Sequence, residues 1–321
     1  MTKPLPFRFG VICERMLSPQ EWVTKARQAE DYGYATFLIR DHFIQEPFGD
    51  QLAPMIALMA AANVTKSLRV GSLVLDNDYR HPVMLAKEAA TLDLLSDGRF
   101  ELGIGAGWLR SEYEHAGMIF EPPGVRVSRL AEAIHVLKGL FADQPLTFAG
   151  THYTVTDLNG FPKPLQRPHP PILVGAGSKR MLALAAQEAN IVGVLPKALP
   201  NGTISEEITE RLSATIAQKV EWIRQAAGER FNELELNMVI TPIFTEQRRQ
   251  RAEQLMRERG WRDIPVEHIL DMPSIFIGTP DQIVEDLQWR REQYGFSYFV
   301  VSDASMEAFA PIVSRLAGRE W

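Results

Sequence analysis

Short, continuously apolar runs recur along the chain at 7–12, 35–39, 69–75, 100–104, 172–175, 190–195, 235–241 and 297–301. Between them, apolar residues fall at helical spacing over roughly 19–32, 52–65, 82–95, 124–141, 178–188, 204–227, 245–258 and 280–294. Runs this short, with no polar alternation, suit strands buried on both faces, which means a parallel sheet covered by helices. Eight strand–helix units close most naturally into a (β/α)8 TIM barrel, so the expected class is α/β. The punctuation agrees with the periodicity. Pro82 stands where a first helical turn tolerates it, Val83, Leu85, Ala86, Ala89, Ala90 and Leu94 supply an inward stripe, and Ser96-Asp97-Gly98 stops the helix. Thr279-Pro280-Asp281 opens the last long helix in the same way.

Two stretches break the alternation. Residues 143–171 read as a small hairpin, Leu146 to Val155, followed by a return stiffened by Pro162, Pro164, Pro168, Pro170 and Pro171. Residues 242–278 hold a polar helix and a segment around Pro265 and Pro273. Both are expected as insertions at the C-terminal face of the barrel and as the source of substrate choice, since long loops in compact domains are usually functional.

A length of 321 residues fits one elaborated barrel domain spanning 1–321, and 45% hydrophobic with 23% charged residues is ordinary for a globular chain. The net charge is −6 with Lys and Arg scattered, which provides no electrostatic footprint for nucleic acid or an anionic membrane and favours work on a small molecule. The first ten residues lack an apolar signal core, and no run reaches the ~20 apolar residues of a spanning helix, so a cytoplasmic protein is expected. Cys13, the single cysteine, excludes an internal disulfide and a multi-thiolate metal site.

Chemistry in such a barrel belongs at the strand C-terminal ends. Asp41 and His42 follow the second strand: Asp41 could accept a bond from a cofactor ring or orient His42, and His42 could handle a proton near neutral pH. The plainer alternative is a turn-capping Asp and a His packed on a loop. Arg80 and His81 suit either an anion or the start of the next helix, and Glu112 with Glu114 reads as solvated. Gly103, Gly105 and Gly107 around Ala106 would let a planar ring or another backbone approach, and Trp108 follows as a stacking or rim residue. Val174-Gly-Ala-Gly-Ser-Lys-Arg180 runs from a strand through glycines into a helix, an arrangement suited to phosphate, with Lys179 and Arg180 as added charge or plain surface. The third glycine of a dinucleotide fingerprint is missing, and no P-loop, His-Glu-x-x-His or Gly-x-Ser-x-Gly occurs.

Taken in order, Arg-Asp-His-Phe at 40–43, the third-strand segment ending Asn-Asp-Tyr-Arg-His-Pro, Phe-Glu-Leu-Gly-Ile-Gly-Ala-Gly-Trp at 100–108, Pro-Pro-Ile-Leu-Val-Gly-Ala-Gly-Ser and Ile-Gly-Thr-Pro-Asp-Gln resemble the bacterial luciferase-like superfamily over nearly the whole chain. The branch most resembled is that of coenzyme F420-dependent oxidoreductases. The resemblance implies F420, or alternatively FMN, at the strand C-terminal ends, hydride transfer between the deazaflavin C5 and a small organic substrate, and often a homodimer. It implies a non-proline cis peptide at Leu73-Val74 pressing a bulge against the cofactor ring, Ala106 and Gly107 lining the ring, Gly175, Ala176, Gly177 and Ser178 taking the phosphate, and Asp41 and catalytic His42 nearby. Sugar-phosphate dehydrogenases of the family carry a proton-donating glutamate where this chain has Trp108, and a tryptophan where it has Ile44-Gln-Glu. An FMN-dependent monooxygenase and a non-catalytic flavin-binding protein are the alternative readings.

Overall fold

A computed structural model describes residues 5–14, 18–262 and 264–319; residues 1–4, read above for a signal core, and Asp263 of the second insertion lie outside it. Eight strands carry the architecture: β1 (Arg8–Cys13), β2 (Thr36–Ile39), β3 (Arg69–Ser72), β4 (Phe100–Gly105), β5 (Ile172–Ala176), β6 (Ile191–Val194), β7 (Glu235–Val239) and β8 (Phe296–Ser302). All pair in parallel with their sequence neighbours, and β8 returns to β1 through the register Arg8 to Tyr298, closing a barrel ringed by helices. Each strand lies on one of the apolar runs. Among the described residues, no helix is long and apolar enough to cross a membrane.

Side-chain alternation along the strands divides the core into two layers. Val11, Phe37, Val70, Leu102, Ile104, Val174, Val192 and Val301 face the helices, while Ile12, Leu38, Leu173, Ile191, Tyr298 and Val300 fill the barrel interior. At the N-terminal end, Arg8 and Arg69 share the buried Glu101 carboxylate, and Arg8 also reaches Glu235. Burial works against the charge on Glu101, but the two guanidinium groups outweigh it and hold its carboxyl below the usual range.

The helices begin and end where punctuation indicates. Pro82–Leu95 starts with the His81 ring accepting from Val83 N, and Pro280–Tyr294 starts in a capping box formed by Thr279 and Gln282. Where a single helix was expected over 204–227, the helix is Ser213–Ala227. Residues before it fold back instead: Ser205 N donates to Lys197 O, Lys197 N donates to Glu210, and the buried Lys219 ammonium ties Glu210 to the Leu195 carbonyl. Short helices at Arg110–His115 and Val266–Leu270, and a final one at Met306–Leu316, were not marked by a long periodic pattern.

Of the two insertions, the second leaves the C-terminal end of β7 and contains a parallel pair, Thr241–Phe244 with Ile275–Gly278. The first contains the expected hairpin, Leu146–Ala149 with Thr154–Leu158, but it is rooted between the end of helix Pro123–Phe141 and the start of β5. It reaches the C-terminal rim only at its tip, where Glu132 accepts from the amides of Thr151, His152 and Tyr153, and Tyr153 meets Asn77 and His81.

After β3 the chain bulges inward through a cis peptide at Leu73-Val74 before Leu75 and Asp76 rejoin β4. Space for the bulge comes from missing side chains opposite. A Cβ on Gly103 would collide with the Ser72 carbonyl, and one on Gly105 would come within 2.9 Å of Val74. Ser72 Oγ locks the two strands by donating to Gly103 O at 2.8 Å and accepting from Gly103 N at 3.1 Å. Because the obstructing atom is backbone, it cannot swing aside. Gly103→Ala is therefore expected to lower stability by about 3 kcal/mol, read as a lower urea midpoint; an unchanged midpoint would show that the bulge tolerates displacement.

Candidate functional site

Above the bulge, the C-terminal strand ends enclose a cavity of about 250 Å³. Asp41, His42, Leu73, Val74, Ala106, Gly107, Gly175, Gly177 and Ser178 all border it, so residues spread over 138 positions converge on one space. Ala176 does not. Its side chain is buried in the layer facing the helices, and its carbonyl accepts from Leu195 N, as strand alternation requires once Gly175 and Gly177 face inward. Neither insertion lines the cavity. Its wall also takes in Phe48, Trp108, Arg126 and the folded-back segment carrying Leu195, Pro196, Ala198 and Ile204.

His42 sits at the rim with Nδ1 2.8 Å from Glu112 Oε2. Glu112, expected to be solvated, is fully buried; it also accepts from Phe43 N at 2.7 Å, Ile44 N at 3.3 Å and the Tyr79 hydroxyl at 2.8 Å. Burial would raise its carboxyl, but His42, the Phe43 amide and Tyr79 overcome this and hold it below the ordinary carboxylate range. Glu112, rather than Asp41, is in hydrogen-bond contact with the imidazole. Asp41 instead accepts the paired guanidinium nitrogens of Arg80 and the amide of Asp76, which fastens β2 to the end of the bulge. His81 takes the plainer role, at the helix start and against Tyr153.

Behind the glycine loop lies an acidic pocket. Gly107 has φ +70°, and a side chain there would run into Asp76 and the Tyr113 hydroxyl. Tyr113 donates within 2.8–3.2 Å of Asp76 and Asp78, and Arg129 pairs with Asp78 at 3.0 Å. Burial, then the charges of Asp78 and Asp41, push the Asp76 carboxyl up to about 7 against the opposing bonds from Asp78 N and Tyr113.

Helix Lys179–Glu188 has its N-terminus at the cavity wall, with Ser178 Oγ accepting from Met181 N and its hydroxyl hydrogen left to donate. Lys179 lies over Trp222, and Arg180 bonds Gly124 O and Ser128, so neither adds charge inside. Arg126 does. It borders the cavity, is 3% exposed, stacks at 3.8 Å on Phe120, and leaves Nε and Nη1 without a hydrogen-bond partner. Burial pulls its ionisation down, partly offset by Tyr113, Asp78 and Asp76. A buried cation with unused donors and a helix N-terminus thus border one cavity, an arrangement suited to an anion.

The model of the luciferase-like monooxygenase family matches residues 5–298. The chain belongs to that family. Among curated relatives, an F420-dependent glucose-6-phosphate dehydrogenase of Kineococcus radiotolerans is 33% identical over 178 residues, 54% of this chain and 52% of the relative. An FMNH(2)-dependent dimethylsulfone monooxygenase of Pseudomonas putida is 34% identical over 131 residues, 41% of this chain and 35% of the relative. The chain thus spans about half or less of these relatives' lengths. An F420-dependent secondary alcohol dehydrogenase, solved with an F420-acetone adduct, superposes with a TM-score of 0.76 at 15% identity, covering 97% of this chain and 99% of that one. That likeness is one of fold.

Within this luciferase-like barrel, Phe48, Arg126 and the 195–204 segment border the cavity without a sequence signal that singles them out. Arg126 is the one that periodicity could have exposed, as a charge on a helix face otherwise marked by Val127, Leu130 and Ile134.

Asp76 makes stability depend on pH. Its folded value, about 7, lies above the unfolded value, so its contribution is complete below about pH 4 and is lost as pH rises through about 7. From this group, stability should fall by roughly 2–3 kcal/mol between pH 5 and pH 8. Asp76→Asn is expected to remove that fall; equal slopes for variant and wild type in urea titrations at the two pH values would refute it.

Proposed function

We propose that this chain is an oxidoreductase that moves a hydride between coenzyme F420 and a neutral organic substrate. The observation carrying the reading is that one cavity joins an apolar ledge at Leu73-Val74, an imidazole, and a buried guanidinium with unused donors. The ledge and the bare loop at Ala106 and Gly107 would hold the faces of a planar ring. Gly177, Ser178 and Arg126 would hold its phosphate. When bound, the deazaflavin would carry the hydride at C5, and the protein would contribute orientation, exclusion of water and proton transfer at His42 Nε2.

Substrate neutrality follows from how the charges are spent. At the rim, Arg40 pairs with Glu14, Asp41 with Arg80 and His42 with Glu112, while Phe48, Trp108, Leu195 and Ile204 supply apolar wall. Among the described residues, the rim cations Arg40 and Arg80 are each paired with a carboxylate, so glucose 6-phosphate is not the expected substrate. FMN-dependent oxygenation is the second reading, favoured by the Pseudomonas putida relative. We also propose a homodimer contact on helices Pro54–Asn63 and Pro82–Leu95, which leave Ile56, Met84 and Leu95 largely exposed, with the exposed Phe161 near Met84.

Titrating the purified protein with F420 and with FMN, followed by cofactor fluorescence, is expected to give tighter binding of F420; preference for FMN would replace the proposal with the oxygenase reading. Arg126→Met should weaken the preferred cofactor at least tenfold while leaving the thermal midpoint unchanged or higher, because an unpartnered buried charge is removed. Loss of stability with unchanged affinity would assign Arg126 to structure instead.

A further inference from the structure

We propose that Glu112 is a positioning residue that holds His42 with its proton on Nδ1 and its Nε2 lone pair turned to the cavity. The inference deepens the reading of His42 as the proton carrier and rests on it for its functional meaning. An ionised carboxylate has only lone pairs to offer, so the 2.8 Å contact with Nδ1 requires the proton to sit on that nitrogen. The other three contacts of Glu112 are also donors: Phe43 N and Ile44 N on Oε1, and the Tyr79 hydroxyl on Oε2. Four donors on four acceptor sites leave the carboxylate no freedom to turn, and full burial keeps it out of the cavity.

The ring is fixed in its other directions as well. Phe48 stacks on one face at 4.8 Å and 30°, Arg40 lies over the Phe48 ring at 4.2 Å, and Trp108 meets the imidazole edge-on at 6.0 Å. Arg40 is held by Glu14, and Asp41, next in the chain, is held by Arg80. Among the described residues, Glu112 is thus the one charged group in hydrogen-bond contact with the ring. Neither tautomer nor tilt is left to chance, as a group that must return or remove one proton at a set position demands.

Glu112→Gln tests this without changing shape. The two backbone N–H groups can only donate, so they keep the amide oxygen at the Oε1 position. The NH₂ must then take the Oε2 position and donate to Nδ1, which moves the imidazole proton to Nε2. The measurement is ¹⁵N NMR of the full chain labelled at its seven histidines, with His42 identified by its loss in His42→Gln. It is made at about pH 8.5, about two units above the ordinary imidazole value. Wild type is expected to show Nδ1 protonated and Glu112→Gln to show Nε2 protonated, read from the couplings of each nitrogen to the ring hydrogens. An unchanged tautomer in the variant overturns the proposal. Nε2 protonation in wild type overturns it alone, whether or not the variant folds. Because no cofactor is needed, failure of F420 to bind would sink the functional reading and leave this result standing.

Discussion

The top of this barrel depends on one steric exchange: the bulge after β3 occupies volume that β4 and β5 leave empty. Gly103 and Gly105 cede the space directly, and Gly175 lies 3.4 Å, by its absent side chain, from Val74. Interiors tolerate neither voids nor overlap, so bulge and glycines stand or fall together. The exchange also sets polar positions. With the bulge in place, Asp76 N lies against Asp41, the Asp76 carboxyl lies behind Gly107, and Tyr113 closes over both. A packing device thereby aims two loops.

Electrostatics around the cavity follows a second rule, that buried charge must be matched. Asp41, Glu112 and Asp78 each have a cation or several donors, and the barrel floor matches Glu101 with two guanidinium groups. Against this background two groups differ. Asp76 meets the cost of burial by favouring its neutral form, while Arg126 cannot shed its charge and keeps unused donors at the cavity wall. One cavity wall therefore combines apolar side chains with a buried cation.

Much of this was legible beforehand for physical reasons. Short apolar runs separated by helical stripes leave few arrangements other than a closed parallel barrel, and glycines at strand ends announce close approach. What escaped was whatever depends on contact between distant residues. Glu112 looks solvated beside Glu114, because neighbours in sequence say nothing of His42 seventy residues earlier. Residues 204–212 carry helical spacing, yet the bonds through Lys197, Glu210 and Lys219 hold them folded back over the cavity. Ala176 was grouped with its glycine neighbours by motif, whereas strand alternation turns its methyl to the other side.

The short helix Arg110–His115 also joins two things that are otherwise separate. Arg110 donates to the carbonyls of Pro200 and Asn201 at 3.2 Å, and its backbone packs where Gly202 lacks a side chain. Two residues on, Glu112 grips His42. The 200–202 segment and the imidazole are therefore attached to a single turn of backbone, so any displacement of residues 200–202 that kept these bonds would be passed on to the ring.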